Sequence, residues 1–552
     1  VLSMWGSPEL AMAGTGSIAA DELHLYLKEA PGRALGPNLP DVLPDRMRAV
    51  SIEAGRKVRL RSASFSAAVH EMRLWFVQRH GQAATPAAAG GPVGTNSGRS
   101  SNVISRQPKA QGNPYLVGGE LLQAEIAMGD GDPAVRNAML DGNVEIRQAS
   151  AGKPGARPLI IRGDSLKITN ADQPTMHVTI LGEPALVQAQ ELTLQGGEIQ
   201  LNRGENRLWV DTPGKMSLLA RRGLNGEASE NGREMHITWK GGMDFNGQTV
   251  TFNRSVHAYD ADSALHTESL SAMLTRSIRF DGQNESNGQA NVEIGRITSP
   301  LPVTMNRRST EGPSIVSREQ MEIRNLLIDM VTGELAAQGP GQVSTVRLRG
   351  QTNWMAPNQQ AVPAAVPAAT EPTDSRTAAK PSGLEYLRVD FQRAVEGNLH
   401  RRTLTFIGKV RATYGPVDHW GDRIDIDSPE GLGQDGVMST SDRLTVREIR
   451  LADRERGTVE LEAAGNAVVE GRSFFARAQK MRYAQAKELI VLEGDGHTSA
   501  KLWQQEAAGK APATFAARQI FYWRREGRVR VADVNLLNLP LTGTRPAAPG
   551  AR

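Results

Sequence analysis

A short phrase that recurs along this 552-residue chain constrains its fold more than any other feature. The phrase contains a small residue, two variable residues, an apolar residue, one variable residue and a second apolar residue. Clear copies begin at Ala20, Ala189 and Ala478, and looser copies begin at Gly163, Thr267, Ser317, Ser441 and Ala517. Two apolar residues separated by one position lie on the same face of a β-strand. The phrase therefore predicts repeated half-buried strands.

Many copies follow a strand that contains a Gly-Asn-Val-like motif, as in Leu140–Ile146, Phe406–Ala412 and Ala464–Val469. One repeat cannot bury its apolar face alone, so the repeats must stack and share a continuous apolar interior. The sequence therefore predicts an all-β chain of repeated antiparallel strands. The best helix candidate, Ala513–Arg525, can also be interpreted as two strands.

Gly, Asn and Asp residues separate the predicted strands from one another. Asp141-Gly142-Asn143, Gly196-Gly197 and Asn246-Gly247 are examples. These residue types accept the positive φ that tight hairpins require, so we interpret the sites as turns between strands.

Two tracts rich in Pro, Ala and Gly interrupt the strand pattern, and neither has an apolar periodicity that could dock on a sheet. They predict six segments: a partial β-repeat module (1–80), a disordered linker (81–113), a first jelly roll (114–349), a Pro/Ala-rich linker (350–383), a second jelly roll (384–538) and a disordered tail (539–552).

Composition narrows the possible functions. Lys and Arg number 64 against 60 Asp and Glu, and the basic residues are spread along the chain, so we expect no nucleic-acid partner. The chain has no Cys, which excludes thiol nucleophiles and cysteine-ligated metals.

Asp425 and Asp427 share a strand face, but a solvated face explains them better than an acid pair. We expect no catalytic residue, no metal, no cofactor and no enzymatic activity.

The chain begins at Val1 without an initiator Met, and it contains no run of about 18 apolar residues. An export signal or membrane anchor, if the protein has one, is therefore expected upstream of Val1.

The region from Met139 to Ser217 resembles the OstA-like (organic solvent tolerance) domain of the periplasmic bridge proteins of lipopolysaccharide transport. The resemblance rests on the order of short motifs: LDGNVEIRQ, LIIRGDSLKIT, LGEPAL and, further on, NRLWVDTPG. A second, weaker pass covers Thr403–Leu536. The resemblance implies two main modules that form elongated, open β-jelly rolls, similar to a taco or a solenoid, in which an apolar crevice carries lipid acyl chains.

The resemblance also implies which side chains line this crevice, although ordinary core packing is the more common explanation for any one of them. The lipid-crevice candidates are Ile146, Leu166, Ile168, Val178, Ile180, Leu192, Leu194, Ile199, Leu201, Leu208 and Val210. Burial of each acyl methylene contributes about 0.8 kcal/mol, so such a crevice needs no catalytic group.

The implied function is non-enzymatic binding or conveyance of lipopolysaccharide or a related glycolipid in the periplasm or cell envelope. The implied partners are other jelly-roll transport proteins, which would join by edge-strand pairing. The alternative is a structural or adhesive β-solenoid without a lipid path.

Limited proteolysis tests the predicted segments. We expect the first cuts within 81–112 and 350–383, because unpacked backbone is the preferred substrate of proteases. Mass spectrometry of the fragments locates the cuts, and early cleavage within Leu140–Val210 would contradict the division.

Overall fold

The predicted all-β class is confirmed: strands form 78% of the structure, against roughly 20–25% in typical soluble proteins. The computed structural model describes residues 1–12, 16–29, 47–62, 65–78, 114–128, 133–148, 158–189, 191–224, 228–280, 293–311, 314–348, 383–424, 432, 436–449, 458–505, 511–523 and 526–538. Within these ranges the helical structure is one 3-10 turn, Gln485–Lys487. Asp425, Asp427 and both predicted linkers, apart from Gly383, lie outside the described residues.

The described ranges contain 31 strands. They are β1 Leu2–Trp5, β2 Glu9–Met12, β3 Gly16–Ala19, β4 Glu22–Glu29, β5 Met47–Arg61, β6 Phe65–Gln78, β7 Tyr115–Met128, β8 Ala134–Gln148, β9 Leu159–Thr169, β10 His177–Ala189, β11 Leu192–Asn202, β12 Arg207–Val210, β13 Gly214–Arg222, β14 Ala228–Trp239, β15 Gly242–Phe245, β16 Thr249–Tyr259, β17 Ser263–Leu274, β18 Ile294–Ser299, β19 Val303–Glu311, β20 Ser314–Asp329, β21 Glu334–Leu348, β22 Leu384–Phe391, β23 Ala394–Asn398, β24 Thr403–Val417, β25 Val437–Ile449, β26 Thr458–Gly471, β27 Phe474–Ala484, β28 Leu489–Glu493, β29 Ala500–Gln504, β30 Ala513–Trp523 and β31 Arg528–Asn538.

The chain forms two compact units. Unit 1 contains residues 1–219, 238–250 and 277–290, and unit 2 contains residues 220–237, 251–276 and 291–552. The strands before and after each predicted linker pair with each other. Within unit 1, β6 and β7 pair in parallel from Phe65↔Tyr115 to Gln78↔Met128. Within unit 2, β21 and β22 pair antiparallel. The six-segment division stays a prediction.

Many long strands are interrupted near their middle, and the interruptions lie side by side on neighbouring strands. The β24–β25 register shifts between Ile407 and Val410, and the β26–β27 register shifts between Ala464 and Ala467. The gap between β22 and β23 lies beside the first of these sites, because the Gln392 amide donates to the Gly408 carbonyl. We call these aligned sites the bend line of each unit.

The bend line divides each strand into two arms. Arm A is the part of each unit that lies on one side of the bend line. It includes Ala138–Asp141 in unit 1 and Thr403–Ile407 in unit 2. Arm B contains the segments on the side of Val144–Gln148 in unit 1 and Val410–Val417 in unit 2.

Left-handed residue pairs form the bend on strands that run from arm A to arm B. The φ values are 75° and 48° for Gly142–Asn143, 87° and 44° for Gly408–Lys409, and 78° and 48° for Gly465–Asn466. In each case two residues oppose one residue of the next strand, which is a β-bulge and bends the strand. The interpretation of Asp141-Gly142-Asn143 as a hairpin turn is therefore wrong, since these residues lie inside β8.

Small residues border the bend on strands that run from arm B to arm A. Gly163 pairs with Val144, and a Cβ at Gly163 would lie 2.4 Å from the Leu181 carbonyl oxygen. In unit 2 the corresponding Ala478 is buried and pairs with Ala467. At Gly163 the small residue of the repeated phrase is thus required, because the neighbouring backbone approaches closely.

In unit 2 the arms pack face to face. The Phe391 ring of arm B lies 5.5 Å from the Phe406 ring of arm A. The Phe474 ring of arm B lies 5.4 Å from the Tyr522 ring of arm A. These contacts are typical of a jelly roll, in which two sheets enclose one core.

Two local interpretations of the sequence need correction. The interpretation of Gly196-Gly197 as a turn between strands is wrong, because both residues lie inside β11. The helix candidate Ala513–Arg525 is strand β30, because its buried side chains pair with β28 and β29. Asn246-Gly247 does form a turn, between β15 and β16.

Replacement of Gly163 by Ala tests the bend. We expect a loss of about 1–3 kcal/mol of stability, because the new methyl group meets backbone that cannot rotate away. Chemical denaturation followed by circular dichroism measures the loss. Gly55→Ala is the matched control, since a Cβ there has no neighbour within 4 Å. Equal midpoints for the two variants would contradict the steric role of Gly163.

Candidate functional site

All eleven lipid-crevice candidates lie on five strands of unit 1, β8 to β12. Five are buried, namely Leu166, Ile180, Leu194, Ile199 and Val210. The other six, Ile146, Ile168, Val178, Leu192, Leu201 and Leu208, are half-buried. Strand registers show how these residues are brought together.

The buried candidates of arm A form a row next to the bend line, which we call the proximal row. Leu166 pairs with Leu140 on one side and Ile180 on the other, and Ile180 pairs with Ile199. Val210 pairs with Met243 on β15. Side chains directly opposite one another on antiparallel strands are in contact distance. The proximal row is therefore a closed core.

A second row of arm A lies one step further from the bend line, and we call it the distal row. Ile168 pairs with Val178, Val178 with Leu201, and Leu201 with Leu208. All four side chains are half-buried, whereas the proximal row is almost inaccessible. Within arm A, the distal row is the candidate surface that a ligand could reach.

Arm B of unit 1 carries the remaining candidates. Ile146 pairs with Ile161, Ile161 with Val187, and Val187 with Leu194. Leu192 pairs with Ala189 and Leu218. Sequence reasoning missed Ile161 and Val187, although alternation with Leu159 and Ala189 marks both as inward-facing.

Unit 2 contains a longer apolar row that sequence reasoning did not select. Each residue pairs with the next across adjacent strands of arm A. The row is Ala337, Val395, Phe406, Leu444, Ala463, Met481, Leu492, Ile520 and Val531. All but Val531 are buried. Met481 and Ile520 occupy the first apolar position of copies of the repeated phrase, which is the signal that could have found them.

Polar groups interrupt the inner face of arm B in unit 2. Arg347 and Glu385 are both buried, pair directly across β21 and β22, and lie 3.5 Å apart. Burial, and then the charge of Glu385, raises the pKa of the Tyr414 hydroxyl. The interior of unit 2 is therefore not uniformly apolar.

The outer face of arm B in unit 1 is charged. Arg147 and Arg162 each donate to the Glu145 carboxylate, at 2.8 and 2.7 Å, and hold its pKa below the usual range. The alternation of this charged face with the apolar rows agrees with strands that have one face in water.

Two carboxylates with a lowered pKa, those of Asp422 and Asp495, accept hydrogen bonds within turns. The amide and hydroxyl of Thr498 and the amide of His497 donate to Asp495 and lower its pKa to about 2. The His419 amide lowers the pKa of Asp422 in the same way. Within the described ranges, no three acidic or histidine side chains are grouped so that they could hold a metal ion.

The described helical structure includes nothing long and apolar enough to span a membrane. No curated protein is significantly similar to the chain. Residues 393–527 match the model of one protein family, described as LptA/(LptD N-terminal domain) LPS transport protein.

The match covers β23 to β30 and overlaps most of the weaker second pass, Thr403–Leu536. It does not include Met139–Ser217, so the lipid-crevice assignment of the eleven candidates stays a prediction. The predicted resemblance to an OstA-like lipopolysaccharide-transport domain is thus confirmed for residues 393–527.

Proposed function

We propose that the chain is a non-enzymatic protein of the cell envelope that binds or conveys lipopolysaccharide or a similar glycolipid. The observation that carries the proposal is the half-buried distal row of unit 1, which continues a sealed core towards solvent. The family match in unit 2 supports a role in lipopolysaccharide transport.

The difference in solvent exposure between the proximal and distal rows favours a protein that binds an acyl chain over a protein that serves only as a spacer. A spacer needs only a closed core, yet Ile168, Val178 and Leu201 stay partly accessible. An acyl chain lying along them would contribute about 0.8 kcal/mol for each buried methylene. Similar apolar side chains on successive strands would give similar affinity at each step, which permits movement along the row.

Edge pairing is the proposed mode of assembly with other jelly rolls. In the described part of the chain, β31 pairs with β30 on one side and has no partner on the other. Val534 and Leu536 of β31 are exposed at 51% and 55%. A free strand edge with exposed apolar side chains is a template for another strand.

Substitution of the distal row tests lipid binding. We expect Val178→Asp to lower photo-crosslinking of a diazirine-labelled fatty acid by about tenfold or more, because a carboxylate would enter the apolar surface. Thr179→Asp is the matched control, since Thr179 points to the opposite face, between Lys167 and Gln200.

Circular dichroism must show that both variants keep the parent fold. Equal crosslinking of Val178→Asp and the parent would refute the distal-row assignment. Absence of crosslinking in the parent would favour the scaffold alternative.

Substitution of β31 tests edge pairing. We expect Val534→Lys to weaken self-association or capture of a second jelly-roll protein, because Lys on an edge strand opposes strand addition. Sedimentation velocity measures the assembly, with Arg528→Lys as a charge-conserving control on the same strand. Unchanged assembly would place the contact elsewhere.

A further inference from the structure

Two arginines, Arg136 and Arg203, lie near one end of the distal row of unit 1. Arg203 follows Leu201 by two positions, and Met176 precedes Val178 by two. Both lie one residue beyond the strand ends, where continued alternation would place them on the face of the distal row. The Arg203 amide donates to the Met176 carbonyl at 2.8 Å, which joins the ends of β10 and β11. Arg136 lies on β8, two positions before Ala138, which pairs with Ile168. It is a bulged residue, because Glu125 pairs with Asn137 and Ile126 pairs with Val135.

The guanidinium of Arg203 has few of its hydrogen bonds satisfied. Its acceptor in the described part of the chain is the Met176 thioether, with Nη2 3.2 Å from Sδ. The buried Nε has no acceptor there. A guanidinium carries five N–H donors, and a thioether is a weak acceptor. Arg203 can therefore take a stronger, anionic acceptor.

Arg136 is similarly available. Its Nε lies 3.8 Å from Oδ2 of Asp172, which makes an ion pair but exceeds hydrogen-bond length. Neither Arg136 Nε nor Asp172 Oδ1 has a hydrogen-bond partner among the described residues, although the Asp172 side chain is only 9% exposed. Buried polar groups are nearly always hydrogen-bonded. The Asp172 carboxylate only accepts hydrogen bonds and repels an anion, so the group available to an anionic ligand is the Arg136 guanidinium.

We propose that Arg136 and Arg203 bind anionic groups, such as phosphate, on the head of the amphiphile whose acyl chain lies on the distal row. This inference rests on the proposed function. Three strand spacings separate β8 from the end of β11, or about 14 Å, so one small anion cannot bridge the arginines. Each guanidinium instead offers one bidentate oxyanion site.

Calorimetric titration of the full chain with three probes tests the proposal. The probes are dodecyl phosphate, dodecyl maltoside with the same alkyl chain, and inorganic phosphate. We expect Arg203→Gln to weaken dodecyl phosphate binding by roughly tenfold, the effect of one charge-assisted hydrogen bond, and to leave dodecyl maltoside unchanged. Arg136→Gln should act in the same direction, and added salt should reduce both effects.

Arg162→Gln is the matched control. It removes the same charge from β9, but on the outer face, where Arg162 pairs with Glu145. Its dodecyl phosphate affinity should equal that of the parent.

Each other outcome overturns the proposal in a distinguishable way. Unchanged dodecyl phosphate binding in both variants would show that the arginines do not contact the head. Equal losses for both detergents would show a purely structural role. Inorganic phosphate binding as tightly as dodecyl phosphate would identify a free-anion site. If the parent binds neither detergent, the proposed function itself fails.

Discussion

The apolar rows described in both units depend on one backbone constraint, the bend that many long strands make at the same level as their neighbours. A left-handed pair such as Gly142–Asn143 produces the bend on one strand, and a small residue such as Gly163 allows it on the next. Non-glycine residues in the left-handed region cost roughly 1–2 kcal/mol, so Gly and Asn are the least costly choices. Arg56 and Lys57 adopt the same conformation in β5, which shows that packing can offset this cost.

The bend explains why two sequence motifs recur. A strand running from arm A to arm B carries an apolar residue, the bulge and then a second apolar residue, as in Leu140 to Val144. The returning strand carries a small residue, two residues at the bend and two inward apolar residues, as in Ala478 to Tyr483. Together the two motifs correspond to one turn of a two-armed roll. Their order along the chain stays the same even where individual residues differ between copies.

Sequence reasoning predicted the strands and the inward alternation because both are local properties. It mistook Gly142–Asn143 for a hairpin turn, since a bulge and a turn require the same positive φ. It placed all crevice candidates in unit 1, whereas the matched region and the long row through Phe406 and Met481 lie in unit 2. Arg136 and Arg203 could not be related from sequence, because only strand pairing brings their row together.

The buried pair Arg347–Glu385 illustrates how a polar interaction can specify an apolar fold. A buried ion pair often adds little net stability compared with apolar residues. Between β21 and β22, however, no tight turn fixes the register, because residues 349–383 separate the two strands. A slip of one residue would move Glu385 to the other face and leave Arg347 buried without its partner. Removing one partner of a buried pair costs about 3–5 kcal/mol, so the pair penalises each wrong register. The same pairing aligns Val343 with Val389, and thus continues the apolar face across the join.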